Sequence, residues 1–146
     1  MSQESFTNAA RGFIEAYNAA DWDRLEAAIT PDCVYDEIGS GRRAEGAHQV
    51  IDLFNGWKRA MPDSKGTVTS ACADENTAAL EVTWHGTFTG PMAGPQGEIA
   101  PTGKQQTSRA ALTFKFEGNA IKESHQYFDS MSLMQQLGIL EAPTTV

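Results

Sequence analysis

The chain is short of cysteine, histidine, basic residues and long apolar runs, and each shortage removes a class of function. Its two cysteines, Cys33 and Cys72, lack Cys-x-x-Cys spacing. That excludes a disulfide scaffold and leaves a reduced, buried pair as the expectation. Three histidines, at 48, 85 and 125, lie among scattered carboxylates without ligand spacing, so no metal site is expected. Eleven basic residues against nineteen acidic ones give a net charge of −8. Such a surface repels phosphate backbones and anionic lipid, which argues against nucleic acid and membranes as partners. The pairs Arg42-Arg43 and Lys58-Arg59 are too short to reverse this. No apolar stretch approaches the roughly 20 residues of a spanning helix. Met1-Ser2-Gln3-Glu4-Ser5 lacks the basic and apolar regions of a secretion signal, so a cytoplasmic protein is expected. Nothing resembles a phosphate loop or a nucleophile elbow.

What remains is ordinary globular composition. With 146 residues, 40% hydrophobic and 21% charged, the chain suits one domain with one core. The expectation is a single domain over 1–146, with residues 1–4 and 141–146 as flexible ends.

The first third has helical periodicity. Phe6, Ala10, Phe13 and Tyr17 form one stripe of a helix. Asp21 can cap a second helix with Trp22, Leu25, Ala28 and Ile29 inward, stopped by Pro31. Cys33 to Ile38 reads as a short strand before a Gly39-Ser40-Gly41 turn. Val50, Phe54, Trp57 and Met61 mark a third helix ending at Pro62.

After Pro62 the period changes to two. Leu80, Val82, Trp84 and Phe88 alternate with polar residues, as do Ala110, Leu112, Phe114 and Phe116. Glu117-Gly118-Asn119 signals a hairpin whose return strand runs from Ile121 to Phe128. Asp129 can cap a last helix with Met131, Met134 and Leu137 inward, closed by Gly138. Helices followed by long meandering strands predict an α+β fold, with helices packed on a curved antiparallel sheet around one pocket. The segment Gly90–Gly103, with four glycines and three prolines, is either a binding loop or a surface crossover or oligomer contact.

Several segments in this layout are similar to SnoaL-like proteins, the polyketide and ester cyclase branch of the nuclear-transport-factor-2-like superfamily. They are Trp84-His85-Gly86-Thr87-Phe88-Thr89-Gly90, Pro101-Thr102-Gly103-Lys104, the pair of strands around Glu117-Gly118-Asn119, Phe128-Asp129 and Met134-Gln135-Gln136-Leu137-Gly138. Tyr17-Asn18, Asp21, Pro31-Asp32, Gly46 and Pro62-Asp63 extend the likeness into the first half. The resemblance implies a conical α+β fold, a homodimer, no metal and no organic cofactor. It also implies aldol cyclisation or isomerisation, with a base that removes a proton beside a carbonyl and donors that hold the enolate oxygen. In the family an aspartate on the last strand is that base and a histidine on the preceding strand assists. Matching Pro101-Thr102, Ile121 and Gln136-Leu137-Gly138 places Gln126 at the aspartate position and Leu112 at the histidine position. A glutamine amide can only donate or accept hydrogen bonds.

If Leu112 faces the hollow, so do Ser108, Ala110 and Phe114, a face suited to an apolar or aromatic ligand anchored by Gln126. Three groups could replace the missing base. Asp36 is either a pocket carboxylate or a solvated strand end. His85 lies opposite Trp84, on a catalytic or a dimer face. His125 neighbours Gln126, and a bulge would decide which of the two points inward. Tyr35, Trp57 and Trp84 either line the pocket or belong to plain core. Two functions follow: a cofactor-independent cyclase- or isomerase-type enzyme acting on a small apolar carbonyl compound, or a noncatalytic small-molecule binding protein on the same fold.

Overall fold

The computed structural model describes residues 2–94 and 96–140. Helix α1, Gln3–Asn18, begins where the Ser2 hydroxyl accepts the Ser5 N–H, and it buries Phe6, Ala10, Phe13, Ile14 and Tyr17 along one stripe. Gln3 and Glu4, expected in a flexible end, therefore belong to the helix; residues 1 and 141–146 lie outside the described residues. Asp21 caps α2, Trp22–Ala27, as its spacing predicts. That helix stops earlier than expected. Ile29 already opens strand β1, Ile29–Glu37, and Pro31 lies within the strand rather than at a helix end. The pairing register shifts between Ile29 and Val34, which gives a proline without an N–H the irregular stretch it needs.

Strand β2, Arg42–Glu45, returns along β1 after the Gly39–Gly41 turn. Helix α3, Ala47–Ala60, buries Val50 and Phe54. Strand β3, Lys65–Asp74, was not expected. Its only buried residue is Gly66, so it carries no apolar alternation to read. Strand β4, Thr77–Thr87, is followed by the Gly/Pro-rich segment, which forms a small hairpin of β5, Met92–Gly94, and β6, Gly97–Ile99. Strands β7, Gln105–Glu117, and β8, Ala120–Phe128, form the predicted hairpin. Helix α4, Ser130–Gln136, is capped by Asp129. It turns Leu133 inward, while Met131, expected inward, is 62% exposed. No helix among the described residues is long and apolar enough to cross a membrane.

Among the described residues β1 to β4, β7 and β8 form one curved sheet in the order β2-β1-β8-β7-β4-β3. It is mixed rather than wholly antiparallel, because β1 and β8 run parallel. Helices α1 and α3 cover its inner face, and Phe13 packs edge-on against Phe54 at 5.3 Å and Phe114 at 5.5 Å. Cys33 is buried there, but Cys72 is exposed on edge strand β3; both are free thiols. A second, smaller apolar cluster joins Ala60, Met61, Phe88 and Met92 to Leu133 and Leu137 of the C-terminal end. Trp57 and Phe128 pack against both clusters and mark the seam between them.

Gly90 ties the β5–β6 hairpin to α3: its N–H donates to the Ala60 carbonyl at 2.9 Å. A Cβ at this position would collide with the Arg59 carbonyl oxygen, a backbone atom that cannot swing away. Gly90→Ala is expected to destabilise the protein by about 1–3 kcal/mol, the usual cost of overpacking. Urea denaturation measures this directly, and an unchanged midpoint would contradict the contact.

Candidate functional site

Alternation along each strand decides which side chains reach the seam. From β1 it turns Tyr35 and Glu37 inward, from β8 Gln126 and Phe128, from β7 Gln106 and Ser108, and from β4 Trp84. Tyr17 of α1 with Phe54 and Trp57 of α3 close the other side, and Leu133 of α4 adds to the wall. The cavity between them is about 60 Å³, mostly apolar and aromatic, with a few polar groups set into it. That is the composition of a small-molecule site.

The cavity's carboxylate is Glu37, whose side chain is 0% exposed. Its Oε1 accepts from Arg42 Nε at 2.9 Å, Arg42 Nη2 at 2.8 Å and Ser40 Oγ at 2.5 Å. Its Oε2 accepts one bond, from Trp57 Nε1 at 2.8 Å. A buried charge survives only when paired and hydrogen-bonded, and four donors meet that condition. Beside it, Gln126 Oε1 accepts the Trp84 indole N–H at 2.8 Å, and its Nε2 donates to Tyr35 Oη at 2.6 Å. Because an indole nitrogen can only donate, the amide orientation is fixed by Trp84. One Gln126 amide proton remains. The Gln106–Ser108 pair, joined at 2.6 Å, also keeps unspent protons.

Across the cavity, Tyr17 Oη and Ser64 Oγ are 2.7 Å apart. Burial pushes the Tyr17 phenol up to about 12, against a smaller opposing effect of the Ser64 hydrogen bond. The Lys58 ammonium lies 4.8 Å from the Tyr17 ring centroid and donates to the Ser64 carbonyl at 2.6 Å. Partial burial lowers its pKa, with Asp63 acting in the opposite direction.

The expected site residues divide by strand parity. Trp57, Trp84 and Gln126 line the cavity, and Tyr35 reaches it through Gln126. Asp36 does not: adjacent strand residues face opposite sides, so an inward Tyr35 sends Asp36 outward, where Arg43 Nη1 and His125 Nε2 each approach at 3.2 Å. His125 is outward for the same reason, and no bulge intervenes at Gln126. His85 is exposed on the outer face, 3.2 Å from Thr107 Oγ1. Ala110, Leu112 and Phe114 do face inward, but beyond the cavity, in the larger apolar core, where Phe114 packs against Phe13 of α1.

Glu37 and Arg42 were missed; for Glu37 the signal was present, since Cys33, Tyr35 and Glu37 share one parity. Gln106, Ser108, Tyr17 and Ser64 also join the site. Among the described residues, no three His, Cys, Asp or Glu side chains are grouped to hold a metal ion.

A family model described as SnoaL-like polyketide cyclase matches residues 7–137. No curated protein matches the chain. Among solved structures, a candidate SnoaL-like polyketide cyclase from Jannaschia sp. CCS1 superposes with a TM-score of 0.84 at 15% identity, covering 97% of this chain and 95% of that one. AclR, a candidate hydroxylase from Streptomyces galilaeus, gives 0.82 at 23% identity over 98% and 87%. IdmH, a candidate polyketide cyclase from Streptomyces antibioticus, gives 0.76 at 20% identity over 91% and 98%.

Two measurements check this geometry. Gln126→Leu leaves the Trp84 N–H and the Tyr35 hydroxyl without their partner, so it is expected to cost about 2 kcal/mol or more in urea unfolding. A loss below about 0.5 kcal/mol would mean that the relay does not hold the site together. The second is alkaline stability. Tyr17 has its folded pKa raised from 10.0 to about 12, and burial, aided by the charges of Asp32 and Glu123, raises Cys33 from 9.0 to about 12. A raised pKa stabilises the fold below the unfolded value and loses that contribution as pH climbs through the folded one. Stability should therefore fall from about pH 9 to 12, and Tyr17→Phe should flatten the fall above pH 10 in pH-dependent denaturation.

Proposed function

We infer the chemistry from two facts: the chain belongs to the SnoaL-like polyketide cyclase family, and its cavity sets a buried carboxylate beside unspent amide donors. The reading is a cofactor-independent cyclase- or isomerase-type enzyme acting on a small apolar or aromatic carbonyl compound. Glu37, rather than Asp36 or His125, is its base, and Gln126 positions the substrate.

The observation that carries this is the hydrogen-bond count on Glu37. Oε1 is occupied by three donors, whereas Oε2 holds one and keeps a lone pair. In the reaction, Oε2 takes the proton from carbon beside the carbonyl. The C–H electron pair moves into the new C=C bond, and the carbonyl oxygen becomes an enolate held by the Gln126 or Gln106 amide. The proton then returns to carbon in an isomerisation. In a cyclisation the enolate carbon attacks a second carbonyl, whose π pair moves onto its oxygen, and that alkoxide takes the proton back from Glu37.

The register supports the same assignment. Glu37 is the direct lateral partner of Gln126 on the neighbouring strand. The carboxylate thus stands one strand over from where the family resemblance puts an aspartate. A homodimer, which the family resemblance implies, belongs to the same reading.

A noncatalytic binding protein is the second reading, favoured by the fact that Glu37 and Gln126 already have protein partners. Both readings are tested with 2-tetralone, a small aromatic ketone with exchangeable protons beside its carbonyl, in heavy water. The expected result is deuterium uptake that Glu37→Gln slows by about 100-fold or more, while Asp36→Asn and His125→Gln leave it unchanged. Saturable quenching of tryptophan fluorescence without any catalysed exchange would overturn the enzyme reading in favour of binding.

A further inference from the structure

Arg42 and Arg43 are adjacent in sequence yet serve opposite faces of the sheet. Antiparallel pairing sets Arg42 across from Glu37 and Arg43 across from Asp36, so each arginine meets a carboxylate of its own parity. Arg43 and Asp36 make an exposed surface pair. Arg42 is different. Its guanidinium is half-exposed and lies 5.4 Å from the Trp57 ring centroid, while the carboxylate that it holds is fully enclosed. Among the described residues it is the only cation in contact with Glu37.

The contacts are lopsided. Both Arg42 donors and the Ser40 hydroxyl converge on Oε1, and only the Trp57 indole reaches Oε2. Charge-assisted bonds of this length are directional, so they fix the rotation of the carboxylate about its last torsion. Arg42 also stacks on Trp57, so it holds the one donor to Oε2 as well. Resting on the reading of Glu37 as base, we propose that Arg42 is a positioning residue, committing Oε1 to the protein and leaving Oε2 as the oxygen that takes the substrate's proton.

A reporter for this arrangement is built into the site. The chain has three tryptophans, and two of their indole N–H groups report on different cavity acceptors: Trp57 on Glu37 and Trp84 on Gln126. Protein labelled with ¹⁵N-tryptophan gives one indole cross-peak for each, assigned with Trp57→Phe and Trp84→Phe. In Arg42→Gln the Trp57 peak should move upfield as its hydrogen bond loosens. The Trp84 peak should stay in place, which also shows that the variant is folded. Exchange of 2-tetralone should slow by about tenfold to 100-fold with the half-saturating concentration unchanged, as expected for a misplaced reacting group. Arg42→Lys keeps the charge but not the paired donors, and should move the Trp57 peak in the same direction.

A Trp57 peak that stays put in Arg42→Gln while Glu37→Gln still abolishes exchange would overturn the positioning role alone. A Trp57 peak that moves, with Glu37→Gln exchanging 2-tetralone as fast as the unsubstituted protein, would instead overturn the base assignment and Oε2 as the reacting oxygen.

Discussion

Neighbouring side chains on a strand point to opposite faces of a sheet, and the inner face can hold only one of each adjacent pair. In this protein the constraint falls on three pairs that matter. It sends Glu37 inward and Asp36 outward, Gln126 inward and His125 outward, and Trp84 inward and His85 outward. The titratable groups most visible in the sequence thus gather on the solvent side, where Asp36, Arg43, Glu123 and His125 form a polar cluster. Among the described residues a single carboxylate, Glu37, is buried on the apolar side, and it must bring its own donors. Arg42, Ser40 and Trp57 come from the partner strand, the intervening turn and the covering helix, so the β1–β2 hairpin and α3 are both held to the site by one charge.

The cavity lies where two apolar clusters fail to merge. The larger cluster is built on α1 and the long strands, while the smaller is built on the end of α3, the β5–β6 hairpin and α4. Their common members, Trp57 and Phe128, are large and rigid and cannot fill the gap between them completely. Polar atoms can be placed at such a seam only if each finds a partner. The Trp84–Gln126–Tyr35 relay and the Tyr17–Ser64 pair satisfy that requirement, with bonds of 2.6–2.8 Å.

The strongly periodic elements were legible in the sequence. The Phe6–Tyr17 stripe, the third helix and the β4 and β7 strands carry apolar residues at the spacing of their final structure, and β8 was legible from the Glu117-Gly118-Asn119 turn before it. Strand β3 was not legible, because at the sheet edge its only buried residue is Gly66, which has no side chain. The start of β1 was hidden by Pro31, which reads as a helix stop but sits at a register shift in the strand. Of the site, the aromatic walls and Gln126 could be read, whereas Glu37 could not be separated from Asp36 without applying parity strictly from Cys33 and Tyr35. Arg42 depends on hairpin register, which the turn alone did not reveal. The approach of α4 and Leu133 is a long-range contact with no local signal.

Gln126 stands where the family resemblance implies an aspartate, yet the cavity still holds a carboxylate, one strand away. In a sheet, lateral neighbours on adjacent strands lie only about 5 Å apart, and Glu37 is the lateral neighbour of Gln126. A glutamate side chain is one methylene longer than an aspartate, and that extra reach suits an origin one strand further away. The exchange has a consequence for the rest of the wall. An amide at 126 can both accept and donate, so it links Trp84 to Tyr35, which a carboxylate, having no proton to give Tyr35, would do only by taking the phenol's own. Leu112, where the family resemblance implies a histidine, is the cross-strand partner of Gln126 and is wholly buried. A titratable group there would lose its water entirely and have the Gln126 amide as its cross-strand neighbour. With the carboxylate on β1, the polar machinery shifts toward the β1–β2 side of the sheet, and β7 is free to contribute apolar packing at its centre.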